Sequence, residues 1–238
     1  MADYRLTLSQ RKTIAIYVRD NVVEVRAPVQ MPRDDVIMYI LSKEKWIKEN
    51  LARTAAFKMR RDAFIVDYGS MIILRGKRYP IVSRNTAKAG FDGTDFYMPP
   101  GLIPAQVKAT CIQIYRRLAL TYFTGRVGYY SEKMGVAPQA VKVNNARARW
   151  GSCSSEKIIN FSWRLALADD DVIDYVVVHE LAHLIEMNHS PRFWAIVAGV
   201  FPDYASRKAK LKELQVRLAS ENWDELKNSY ENHGEHEI

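Results

Sequence analysis

The sequence predicts an α+β fold. A β-rich N-terminal region with one helix spans residues 1–100, a largely helical region spans 101–220, and an acidic tail spans 221–238. Three observations predict this. Short runs rich in β-branched residues cluster before residue 100. Apolar residues at three- and four-residue steps dominate after it. Pro99-Pro100-Gly101, the clearest break in the chain, separates the two.

The elements follow in order. Thr13-Ile14-Ala15-Ile16-Tyr17-Val18 and Val22-Val23-Glu24-Val25-Arg26 read as two strands with Asp20-Asn21 turning between them. Asp34-Asp35 then opens a helix carrying Val36, Ile37, Ile40, Leu41, Trp46 and Ile47, and the basic stretch to Arg61 extends it. Ile72-Ile73-Leu74 and Tyr79-Pro80-Ile81-Val82 flank a Gly76-Lys77 turn. An amphipathic helix fits residues 104–130. Val141-Lys142-Val143 and Ile158-Ile159-Asn160-Phe161 read as strands on either side of a turn at Trp150-Gly151-Ser152. A helix starts near Asp169, where Asp170, Asp171 and Asp174 suit the positive end of its dipole. Two more helices fit 190–199 and 203–220, and Trp223 and Leu226 are expected to order part of the tail.

Composition narrows the class. With 48% hydrophobic and 26% charged residues, the chain has enough apolar surface for a sizeable core and is not of disordered or collagen-like composition. No apolar run reaches the roughly 18–20 residues of a membrane helix, and the N-terminus lacks a signal-like apolar core, so a cytoplasmic protein is expected. Two cysteines, Cys111 and Cys153, are expected as reduced thiols. The net charge is +8, but the tail from Glu221 carries six carboxylates against Lys227 alone. Residues 1–220 therefore hold +13, a body that attracts anions.

One motif carries chemistry. His179-Glu180-Leu181-Ala182-His183 follows the apolar run Val176-Val177-Val178 inside the predicted helix. Residues four apart share a helix face, so both imidazoles can point at one metal ion with Glu180 beside them. Neutral imidazoles leave the charge of Zn2+ intact, so a bound water becomes acidic near neutral pH, and a carboxylate that is not a ligand can take its proton. A third ligand is needed, and His189 is the candidate. A straight helix would carry it off the metal face. The helix must end first. Asn188 tolerates the left-handed conformation that ends helices, and Ser190-Pro191 is a cap and first residue for the next one.

These residues also carry a resemblance. Arg149-Trp150-Gly151-Ser152-Cys153-Ser154, Ile159-Asn160, Asp174 to Leu184, Asn188-His189-Ser190 and Phe193-Trp194 resemble the YgjP-like metallopeptidases. Arg11-Lys12-Thr13, Val25-Arg26-Ala27-Pro28 and Lys45-Trp46-Ile47 match the same family. The resemblance covers about residues 4–200. It implies a zincin-like region 101–220 and a zinc-dependent hydrolase, with His179, His183 and His189 as ligands and Glu180 as base. The ligand spacing also equals that of the metzincins, but Glu186 stands where they have glycine and no Met-turn follows Met187.

Lys142, Arg147, Arg149 and Arg164 bracket the Trp-Gly-Ser-Cys stretch. Arg149 is a candidate to hold an oxyanion, and Arg147 and Arg149 to bind substrate. Two reactions remain open. One is peptide hydrolysis. The other is hydrolysis of a nucleoside triphosphate phosphoanhydride, with a Mg2+ borne by that substrate in place of a phosphate loop. Nucleic acid is a further candidate partner, through the N-terminal region and the basic helix with Arg207, Lys208, Lys210 and Lys212.

Overall fold

Alternating burial in the first strands shows how the N-terminal part is built. A computed structural model describes residues 3–19 and 21–224, and these fall into two compact units, residues up to 64 with 219–222, and residues 65–218 with the segment from Trp223. In the first unit, strands β1 (Tyr4–Ser9), β2 (Ala15–Arg19) and β3 (Val22–Pro28) form a sheet in the order β1-β3-β2. Val23, Val25 and Ala27 of β3 are buried on one face. Helices α1 (Arg33–Ser42) and α2 (Glu44–Asp62) cover it with Val36, Ile40 and Ile47. Two findings differ from the sequence reading. A third strand, β1, pairs parallel to β3. The expected single helix breaks at Lys43, whose N–H turns back to the Ile40 carbonyl, 3.0 Å. The break lets Ile40 and Ile47 join one apolar cluster.

The second unit contains two sheets and the remaining helices. Strands β4 (Met71–Leu74), β5 (Lys77–Ser83), β6 (Gly90–Phe91) and β7 (Phe96–Met98) lie in the order β4-β5-β7-β6. Pro99-Pro100-Gly101, read as a boundary, lies inside this unit, because Phe96 packs on Tyr115 of the next helix at 5.2 Å. That helix, α3 (Pro104–Met134), is the spine of the unit. Strands β8 (Ala140–Asn144), β9 (Gly151–Cys153) and β10 (Ile158–Ser162) follow in the order β8-β10-β9. A 3-10 turn (Trp163–Leu167) leads to α4 (Asp170–Ala182), α5 (Pro191–Val200) and α6 (Tyr204–Ala219). The expected turn at Trp150-Gly151-Ser152 is largely strand, since Gly151, Ser152 and Cys153 pair antiparallel with Phe161, Asn160 and Ile159.

The core of this unit is aromatic. Tyr115 stacks on Trp163 at 5.4 Å, and Trp223 meets both edge-on at 5.7 and 5.8 Å. Trp223 is thus ordered as expected, whereas Leu226 lies outside the described residues. Arg164 is buried and donates to Asn145 Oδ1, 2.7 Å, and to the Trp223 carbonyl, 3.3 Å.

Helix α4 runs parallel to α3, and its first turns are pinned. Arg126 makes two bonds to Asp174, 2.6 and 2.7 Å, joined by Tyr130 at 3.0 Å. Arg75 makes two to Asp170, both 2.6 Å, and Lys210 reaches Asp171 at 2.7 Å. Gly76 has a positive φ of 73°, and a side chain there would collide with the carboxylate of Asp169 at the α4 N-cap. Among the described residues no helix is long and apolar enough to cross a membrane, and both cysteines are free.

Candidate metal centre

The last turn of α4 brings His179 and His183 to one face. The helix then ends, but not by the expected route. Asn188 is not left-handed. Instead α4 closes at His183 through a tightening turn, in which Leu184 N–H bonds the Leu181 carbonyl and Ile185 and Glu186 both bond that of Ala182. The next helix starts as the sequence predicts. Ser190 is the N-cap of α5, its Oγ accepting from Phe193 N–H at 3.3 Å, and Pro191 is the first helical residue.

The connection returns His189 to the metal face. One side-chain nitrogen from each of His179, His183 and His189 lies within 4.8 Å of the other two. Nε2 of His189 stands 3.0 Å from Nε2 of His179. His183 donates from Nδ1 to the Glu186 carbonyl, 3.3 Å, which leaves its Nε2 for a ligand. Burial holds His179 neutral, down to about 3, helped by the charges of His183, His189 and Lys208. Burial also holds His183 below the ordinary histidine range. Three converging imidazoles are a donor set for a borderline divalent ion such as zinc.

Glu180, the residue after His179, lies against Gly151 of β9. It is 5% exposed, and its Oε2 has no hydrogen-bond partner among the described residues. Burial pushes its carboxyl up to about 8, against the opposing charge of Arg149. A Cβ on Gly151 would sit 2.5 Å from Glu180 Oε1 and 2.7 Å from Cγ, so only glycine admits the carboxylate this close to the strand. The sequence reading missed this role, although Gly151 at the centre of the Trp-Gly-Ser-Cys stretch was its signal. It also missed Phe193, a fully buried ring whose centroid lies 4.9, 4.6 and 4.7 Å from those of His179, His183 and His189.

The four basic residues near the stretch separate. Arg164 is a buried core group. Arg147 is exposed and pairs with Asp224 at 2.9 Å. Lys142 is exposed on β8. Arg149 is exposed and close enough to Glu180 to act on its charge. Asn144 and Asn145 take turn roles, Asn144 Oδ1 accepting from Ala146 N–H at 2.9 Å and Asn145 Oδ1 from Trp163 Nε1 at 2.9 Å.

A family model described as YgjP-like, metallopeptidase domain, matches residues 12–214. The chain belongs to the YgjP-like metallopeptidase family. It is therefore a metal-dependent hydrolytic enzyme of the peptidase class. The spacing that produced the resemblance sits in this family's matched span, as do β2 to α5. Two crystal structures of metallopeptidase zymogens are similar in part. Abylysin of Pyrococcus abyssi is 21% identical, with a TM-score of 0.36, over 40% of this chain and 94% of its own. Jannalysin of Methanocaldococcus jannaschii is 17% identical, with a TM-score of 0.35, over 40% of this chain and 96% of its own. No curated protein matches the sequence.

Proposed function

We propose that this YgjP-like chain is a zinc-dependent endopeptidase or exopeptidase whose ion is held by His179, His183 and His189. The observation that carries the reading is the pairing of a convergent three-imidazole set with a buried carboxylate oxygen, Glu180 Oε2, that has no partner among the described residues. Zinc, when bound, supplies Lewis acidity to a water and to the scissile carbonyl. Glu180 takes a proton from the attacking water at Oε2 and passes it to the leaving amine nitrogen. Arg149 binds the developing charge on the carbonyl oxygen. Arg147 binds substrate only by giving up Asp224. The family match supports peptide as the substrate class, and neither a nucleotide nor a Mg2+ ion finds support there. The basic helix offered for nucleic acid is partly neutralised, Arg207 by Asp203 and Lys210 by Asp171.

The test is a turnover assay on metal-analysed protein with an unstructured polypeptide and, in parallel, nucleoside triphosphates with Mg2+. Glu180→Gln is expected to keep zinc and lose peptide turnover by about a hundredfold or more. His189→Ala is expected to weaken zinc binding beyond the roughly tenfold to hundredfold cost of an outer-shell loss. Full peptide turnover in Glu180→Gln removes the base, and Glu180-dependent phosphate release replaces the peptidase reading.

A further inference from the structure

The cations around the triad are not equivalent. Arg147 is paired with Asp224, Arg192 with Glu186 at 3.9 Å, Arg207 with Asp203 and Lys210 with Asp171. Lys208 has no carboxylate partner among the described residues. Its ammonium instead lies over the ring of Trp194, 5.0 Å from the centroid, and is exposed.

That position is fixed and close to the metal face. Trp194 lies 5.9 Å from His179 and 5.8 Å from His189 between ring centroids. Its other contact is Tyr204, stacked at 5.3 Å with an interplanar angle of 20°. Tyr204 and Lys208 are four apart on α6, so one helix face delivers both to the same indole. The start of α6 is anchored in turn, because Arg207 donates to the Asp171 carbonyl of α4 at 2.9 Å and lies 3.9 Å over Phe201. A long, flexible lysine is thereby held at the rim of the site with its charge unspent.

We infer that Lys208, laid on Trp194, forms a subsite that takes a carboxylate of the peptide substrate. The inference rests on the peptidase reading above and names its substrate class. A peptide carries carboxylates in two places, on Asp or Glu side chains and at its C-terminus. The ammonium offers three donors to either, and the indole supplies an apolar wall for the methylene beside it. Arg149 acts on the charge of Glu180 and is assigned above to the reacting carbonyl, which leaves Lys208 for that carboxylate.

The test uses the zinc-loaded full chain and three peptides of one sequence. The first is blocked at both ends and carries one Glu, scanned through the positions flanking the scissile bond. The second has Gln there. The third is the Gln peptide with a free C-terminal carboxyl. The wild type is expected to show about tenfold higher kcat/KM for one of the two acidic peptides than for the blocked Gln peptide, the size of one charge-assisted hydrogen bond. Which acidic peptide gains identifies the source of the carboxylate. Lys208→Ala is expected to bring that ratio to one, and Lys208→Glu to invert it. Binding of the same peptides to zinc-loaded Glu180→Gln, with and without Lys208→Ala, is read by fluorescence anisotropy. Equal kcat/KM and equal affinity across the three peptides overturn the subsite, as does a preference that survives Lys208→Ala. If no peptide is cleaved yet the Lys208-dependent affinity difference stands, the peptidase reading fails while the carboxylate site holds.

Discussion

The two ends of α4 are built on opposite principles. At the start, each of Asp170, Asp171 and Asp174 has a cation within 2.7 Å, and Tyr122 and Tyr130 add bonds of 3.0 Å. Nine residues on, Glu180 Oε2 and His179 Nδ1 are buried with no partner among the described residues. The first end satisfies its polar groups and fixes the helix. The second leaves them unsatisfied, at a cost of about 1–3 kcal/mol for each buried group. Such a cost persists only where the rest of the structure holds the groups in place. The polar groups that fix the helix and those left without a partner thus lie at opposite ends of α4.

Substitutions at each end should separate these roles. The largest effect is expected from Gly151→Ala. The added methyl group must displace the Glu180 carboxylate, and peptide turnover should fall by about a hundredfold, the scale of a 1 Å misplacement, with zinc content unchanged. Wild-type kcat in this variant would break the link between β9 and the base.

At the other end Arg126→Ala strips a partly buried pair and leaves Asp174 uncompensated. Its urea midpoint should drop by an amount equivalent to about 2 kcal/mol, a buried-pair loss discounted for partial exposure. Peptide kcat measured well below that midpoint should stay near the wild-type value.

Glu180→Gln should act on stability with the opposite sign. The folded carboxyl titrates at about 8 and the unfolded one near 4.5. Its contribution is therefore fully present below pH 4.5 and is lost as pH rises through 8. Metal-free wild type should lose about 3 kcal/mol between pH 5.5 and pH 8.5, and Glu180→Gln should not. A parallel fall in both proteins, followed by thermal denaturation at the two pH values, would remove Glu180 as the strained group. The smallest effect belongs to Arg75→Ala. Both members of that pair are nearly half exposed, so the loss should stay under about 1 kcal/mol in the same denaturation assay.

The sequence made the site more legible than its support. The His-Glu-x-x-His spacing, the return of His189 and the Ser190-Pro191 start of α5 are local, written in residues within a dozen positions of one another. The acids of α4 read as dipole partners, but their cations lie far along the chain, Arg75 before them and Lys210 after. No local pattern encodes such pairings. Strand β9 escaped for a related reason. Gly-Ser-Cys has little preference for extended structure, and its conformation comes from pairing with Ile159–Phe161 of β10. The break at Lys43 and the parallel strand β1 were likewise set by burial against β3, which periodicity along one segment does not report. Among the unassigned residues, Gly151 and Phe193 looked like ordinary turn and core positions until the groups they face were in place.

The placement of Trp223 bears on how the protein is made. Tyr115 and Trp163 form half of an aromatic core that this indole completes, and the carbonyl of the same residue receives the buried Arg164 guanidinium. A nascent chain that has emerged only as far as α6 already carries all three imidazoles, yet lacks the indole that meets Tyr115 and Trp163. Final packing of this unit must then wait until residue 223 has cleared the ribosome. Order of synthesis thereby makes the close of this aromatic core a late event in the folding of the unit that carries the three imidazoles.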